Sequence, residues 1–167
     1  MPLAAGHYEF QAIYGGDVNY FGSQSCPRSE KLCVDQTCSR TSTDLGIESE
    51  TIGLGQSVTD NATVYGLGGA FPVPSGFVDF WVKYNDGNNT WWMFSAHVAL
   101  NGGMATSAFY MPMDAGNYSF KAVYSGDSNY LPSHSCPFEE PLLVERADSH
   151  TGTDLGVSPP EIIGKVN

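Results

Sequence analysis

The stretch AGHYEFQAIYGGDVNY, residues 5–20, returns at 115–130 as AGNYSFKAVYSGDSNY. Setting Met1 on Met111 lays 1–46 on 111–156 without a gap, and about half of the aligned positions are identical. Cys26-Pro27 falls on Cys136-Pro137, and TSTDLG at 41–46 falls on TGTDLG at 151–156. Self-similarity at a fixed period is the mark of units set in series. It constrains the chain more than any other feature, because whatever closes must close within one period and then start again. Residues 1–40 then read as the C-terminal part of one unit, 41–148 as a complete unit and 149–167 as the first strand region of the next. On this reading the chain is a window onto a longer array, or a subunit whose partial ends are completed by neighbouring copies.

Within 41–148 the pattern is that of strands. FVDFWVKY (77–84) alternates, with Val78, Phe80, Val82 and Tyr84 on one face and Asp79, Trp81 and Lys83 on the other. NDGNN (85–89) then supplies a hairpin turn, because Asp-Gly tolerates the positive φ such turns need. QSVTDNATVYG (56–66), TWWMFSAHVAL (90–100), MATSAFYMP (104–112), the repeated string itself and PLLVER (141–146) complete a set of about seven strands. Turn signals recur roughly every ten residues and no helix is convincing, so the expectation is an all-β sandwich. The abundance of Gly, Tyr, Ser and Thr, with only seven Lys and Arg, agrees with strands and turns.

DAGNYSFKA (114–122) resembles the strand-F signature of immunoglobulin-like sandwiches, in which a Tyr sits two residues before a core position. With SVTDNATVYG, PSGFVDFWV, LNGGMATSAFYMP and AGNYSFKAVYSGDSNYLPSHS, the unit resembles the bacterial-type Ig-like repeats found in tandem on prokaryotic surface proteins. That resemblance implies an immunoglobulin-like β-sandwich, extracellular and on the cell surface, in a tandem repeat whose period is the offset from Tyr8 to Tyr118. It implies a structural corner at Tyr118 with Phe120 in the core, repeated at Tyr8 and Phe10. Its implied work is scaffolding: a stalk, sheath or filament whose partners are neighbouring copies of the same repeat.

The same resemblance makes disulfides the expected state of Cys26, Cys33, Cys38 and Cys136, which form no CxxC pair and have no His cluster beside them. Three pairings exist. In an Ig-like unit Cys38, before the first strand, and Cys136, after the GDSNY turn, belong at one pole. A Cys38–Cys136 bridge would leave Cys26 for Cys33 or for another chain. Closing so long a loop is worth on the order of 4–5 kcal/mol in the chain-entropy treatment.

Other functions find less support. A net charge of −11 repels phosphate backbones and anionic headgroups, so neither nucleic acid nor membrane insertion is expected. No stretch approaches a membrane span, and MPLAAGHYEF lacks the basic start and apolar run of a signal peptide. The four His (7, 97, 134 and 150) are scattered, no nucleophile or phosphate-loop motif occurs, and neither catalysis nor a cofactor is expected. GDxNY could offer oxygens to Ca²⁺, but a turn bonding its own backbone is the simpler reading. Sequons stand at Asn61, Asn88 and Asn117, of which Asn88, at a hairpin tip, is the most accessible. Trp81, Trp91 and Trp92 are candidates for an interface or a glycan platform, which gives an alternative role as an adhesin module. Adjacent residues of a strand face opposite ways, so one of Trp91 and Trp92 is expected in the core and the other outside.

Overall fold

The computed structural model describes residues 3–26, 30–136, 140–154 and 156. The greater part of the predicted opening strand region, 149–167, lies outside the described residues. Thirteen strands and no helix are present among them.

The segment that ends at Val34 makes two small ladders. Strand β1 (Gly6–Phe10) pairs antiparallel with β4 (Glu30–Val34), and between them β2 (Ile13–Tyr14) pairs with β3 (Ser23–Gln24). Together they form one long hairpin. The remaining strands are β5 (Arg40–Asp44), β6 (Thr51–Gly53), β7 (Asn61–Tyr65), β8 (Phe77–Tyr84), β9 (Trp92–Ala99), β10 (Met104–Thr106), β11 (Gly116–Tyr124), β12 (Ser133–His134) and β13 (Pro141–Glu145). They form two sheets. One runs β10-β7-β5; the other runs β6-β13-β11-β8-β9, with β12 on β11. Every strand pairing among the described residues is antiparallel except β6 on β13, where the chain has crossed from the first sheet to the second to run parallel with the last strand.

The alternation seen in sequence sets which side chains meet between the sheets. On β8, Val78, Phe80 and Val82 are fully buried, as are Phe120, Ala122 and Tyr124 on the neighbouring β11. Opposite them the first sheet contributes Ala62, Val64 and Ala105. A second cluster, at the other end, joins Leu45, Ile52, Val58, Val82, Tyr118, Phe120, Leu142 and Val144. The two clusters are continuous through Phe94, which packs on both. Stacked sheets leave room for one layer of interleaved side chains, which is what these residues fill.

The expected corner is present. The Tyr118 hydroxyl donates to the Asp114 carbonyl at 2.9 Å while its ring stays 3% exposed. Tyr8 does the same to Ala4 at 2.7 Å. Phe120 stands where an antibody domain has a bridging cysteine, and it is edge-on to Phe94 and Tyr110. Burial also lifts the Tyr118 phenol above its ordinary range. Between β8 and β9 the register shifts around Asp79: His97 takes a positive φ of 51°, and its N–H donates to the Asp79 carboxylate at 2.7 Å. An extra residue on the edge strand bends it there.

Candidate functional site

Two places carry more structure than a bare sandwich needs. The first is the joint where the hairpin meets the sandwich. The turn Gly126–Tyr130 is built by Asp127, whose Oδ1 accepts the N–H groups of Asn129 (2.7 Å) and Tyr130 (2.9 Å). Its Oδ2 accepts the N–H and hydroxyl of Ser75 at 2.7 and 2.9 Å. Burial alone would raise the Asp127 pKa, but these donors outweigh it and hold the carboxyl below its usual range. Tyr130 is then driven inward. Its hydroxyl donates to the Pro72 carbonyl at 2.6 Å and its ring lies on Gly66, where a Cβ would come within 2.4 Å of it.

The linker 35–39 is laid along the outside of this turn. The Thr37 N–H donates to the Asn129 carbonyl (2.9 Å), and the Thr37 carbonyl accepts from Leu131 (2.8 Å), which makes a parallel bridge from Thr37 to Tyr130. Asn129 also accepts the Ala5 N–H on its Oδ1 at 2.8 Å, so the start of the hairpin is held as well as its end. Gln36 donates to the Asp127 carbonyl. Ser39 reaches the Leu131 carbonyl at 2.8 Å and Ser133 at 2.7 Å. Leu3, Ala5 and Val34 face Leu67, Phe71 and Pro72 across a cleft of about 80 Å³. Sequence reasoning assigns Asp127 and Asn129 to a self-bonded turn, which they make, but does not reach Gln36, Thr37 and Ser39. Their partners lie far along the chain, beyond the whole first sheet.

The second place is the outer face of β8, β9 and β11. Trp81 and Trp91 lie together there, joined by Lys121, whose ammonium sits 4.4 Å from the centroid of Trp91 and 5.6 Å from that of Trp81. Lys83 covers Trp91 from 5.1 Å and donates to Asn89. Both rings are half-buried, and the Trp81 indole N–H is enclosed with no hydrogen-bond partner. Trp92 does not join them. It is 42% exposed and stands by the Tyr110 hydroxyl. Neither Trp91 nor Trp92 enters the core, against the expectation that one would. Trp91 lies on the outer face just before β9, and Trp92 opens β9, the edge strand of its sheet, whose side is only partly covered.

The remaining sequence candidates are dispersed. Cys33, Cys38 and Cys136 are free, exposed thiols, and Cys26 is exposed. The Cys33 thiol, 3.6 Å from the Asp35 carboxylate, has its pKa raised, by desolvation first and then by that neighbour. Asn88 is exposed beside Asp86 at the hairpin tip. Asn117 is exposed on β11, and Asn61 is tied to Asp44 and Thr106 through its amide. An open cleft of about 290 Å³ is lined by Asp44, Glu48, Glu50 and Glu140. No group of three or more His, Cys, Asp or Glu among the described residues is placed to hold a metal ion. No helix among them is long and apolar enough to cross a membrane.

Two facing sheets, a strand that switches between them and a tyrosine corner before the last hairpin define an immunoglobulin-like β-sandwich. The model of the bacterial Ig-like domain (group 3) family matches residues 45–139, more than half of the chain, and the chain belongs to that family. A comparison with curated proteins gave no match. Among solved structures, the chain is similar to the sporulation control protein Spo0M from Bacillus subtilis, at 12% identity and a TM-score of 0.41. That similarity covers 65% of this chain and 49% of Spo0M, so the chain spans about half the length of that protein.

Proposed function

We propose that this chain is a non-enzymatic structural segment of an extracellular, cell-surface protein, in which Ig-like units of the 41–148 type follow in series to build a stalk, sheath or filament. The observation that carries the reading is the joint. A flexible connector makes few bonds to the unit it precedes, whereas here Thr37 is hydrogen-bonded through its backbone, and Gln36 and Ser39 through their side chains, to the turn and the residues just after it. Such a joint fixes the angle between successive units and transmits load along the array. The acidic surface keeps a crowded array soluble.

Electron microscopy of the native material, with denaturing electrophoresis in the presence and absence of reductant, tests the reading. Straight, regularly jointed shafts are expected. Isolated globular particles would overturn it. A mass that collapses only on reduction would show that Cys26, Cys33, Cys38 and Cys136 lock neighbouring units. At the level of the joint, Asn129→Ala removes the acceptor for Ala5. Hydrogen exchange at Ala5 is expected to speed up roughly tenfold, the equivalent of one lost hydrogen bond, with β8 and β11 unchanged. Equal exchange in the two proteins would mean the joint is not held from this side.

A second reading, an adhesin module, is favoured by the Trp81–Trp91–Lys121–Lys83 face. Two of only seven Lys and Arg in the chain are stacked on indoles there. A platform of two rings beneath two ammonium groups suits an acidic sugar better than a neutral one. Screening immobilised acidic and neutral glycans against the protein and Trp91→Ala decides it. Binding of acidic glycans that falls at least tenfold in the variant, as expected for a lost ring platform of about 1–3 kcal/mol, supports this role; no binding ends it.

A further inference from the structure

The hairpin 6–34 and the last hairpin of the sandwich are the same object in two environments. The register is shared: β1 sets Tyr8 opposite Leu32 on β4, as β11 sets Tyr118 opposite Leu142 on β13. The corner bond is shared, as described for Tyr8 and Tyr118. So is the turn, in which Asp17 Oδ1 accepts Asn19 and Tyr20 at 2.7 and 2.9 Å, the distances found at Asp127. Yet Phe120, Tyr124, Tyr130 and Leu142 are 0, 0, 1 and 1% exposed, while Phe10, Tyr14, Tyr20 and Leu32 are 46, 45, 69 and 41% exposed. What differs is the cover. Over the second hairpin lie β5, β7 and β10, and beside it in its own sheet lie β6, β8 and β9; the first has nothing comparable among the described residues.

The polar groups repeat the contrast. In the sandwich Asp127 Oδ2 is taken by Ser75, and the Tyr130 hydroxyl by Pro72. In the first hairpin Asp17 Oδ2 is taken instead by the hydroxyl of Tyr14 from the same hairpin, at 2.8 Å, and the ring of Tyr20 stands in solvent. A group that would receive a neighbour's serine is satisfied locally.

We infer that the inner face of hairpin 6–34 is a docking site for an Ig-like segment of the 41–110 type, supplied by a preceding unit of the same polypeptide. The partner is specified by chemistry seen once already. It brings a glycine to admit the Tyr20 ring, a carbonyl for its hydroxyl, and a serine N–H and O–H for Asp17, as Gly66, Pro72 and Ser75 do within GLGGAFPVPSG (66–76). It covers Phe10, Tyr14 and Leu32 as β7 and β10, with Leu45 and Val58, cover their counterparts. The inference takes the identity of the partner from the serial arrangement proposed above, but not its place outside the cell, so a failure of the surface role leaves the result below untouched.

The experiment adds a copy of residues 41–110 directly ahead of Met1, since Tyr110 precedes the equivalent Met111 in the sequence. Amide hydrogen exchange is compared between this extended chain and the 167-residue chain, with 116–144 as the internal standard. Protection of the hairpin amides at 6–10 and 30–34 is expected to rise by roughly a hundredfold or more, toward that of the standard, as a loose hairpin joins a cooperative unit. Binding of an apolar dye falls with it. Gly66→Val in the added copy alone is expected to return the hairpin to its exposed behaviour while the resident sandwich keeps its protection. Unchanged exchange at the hairpin in the extended chain overturns the inference. So does a 167-residue chain that sediments as a dimer and becomes monomeric on Phe10→Ser with Tyr20→Ser, because the face then belongs to a second copy.

Discussion

Replacing Phe120 by Ala is expected to lower the unfolding free energy of the sandwich by about 3–5 kcal/mol, while Phe10→Ala changes it by no more than about 0.5 kcal/mol. The two residues are equivalent in the repeat and identical in type. Phe120 is fully buried, 5.8 Å from Phe94 and 5.7 Å from Tyr110 in edge-on contacts, and lies between Val82, Tyr118 and Leu142. Its removal loses the transfer energy of the ring and leaves a cavity that β8 and β11, paired along their length, cannot collapse to fill. A domain of this size is stable by about 5–15 kcal/mol, so the variant stands near the limit of folding and its thermal midpoint falls by roughly 15–30 °C. Calorimetry of the two variants checks the contrast. A loss below about 1 kcal/mol for Phe120→Ala would show that the core is not organised around that ring. A large loss for Phe10→Ala would show that its face is already covered in solution.

That contrast also marks where the sequence is readable. Period-two alternation places Val78, Phe80 and Val82 inward, and β8 spans the eight residues expected of it. The Tyr118 corner and the Phe120 core position follow from the resemblance of DAGNYSFKA to an Ig-like strand-F signature, and they are legible because a strand and its corner are local and each side chain has two faces to choose from. Local pattern cannot supply the partners across sheets. The parallel addition of β6 to β13 joins Thr51 to Leu143 through a short TIG segment with no strand signature of its own. The joint depends on Thr37 meeting Asn129, and the stacking of Lys121 on Trp81 depends on the register between β11 and β8. The bulge at His97 has no glycine to announce it. One further signal is present in the sequence. The phase that buries Val58, Ala62 and Val64 also carries Asp60, which lies between them on the same face.

Asp60 is therefore expected to make the protein less stable as the medium is raised from mildly acidic to mildly alkaline. Its side chain is fully buried and neither carboxyl oxygen has a hydrogen-bond partner, although its backbone is held by Ser107 in both directions. Burial pushes its pKa up to about 8, and the nearby carboxyls of Glu140 and Asp44 push the same way. A carboxyl whose pKa is raised by folding prefers the folded state while it is protonated. Its contribution is fully present below the unfolded value near 4 and is lost as the pH climbs through the folded value. Between pH 4 and 8 the penalty accumulates to several kcal/mol, on the order of 4–5. Asp127 acts in the opposite sense, since its lowered pKa gives stability that is lost only as the pH falls below the carboxylate range. Asp60→Asn retains the shape and cannot ionise. Its thermal midpoint should be nearly flat from pH 5 to pH 8, and its advantage over the parent should grow steadily across that range and be largest at pH 8. Parallel profiles for the two proteins would mean that folding does not change the protonation of Asp60, and that the slope comes from the acidic surface as a whole.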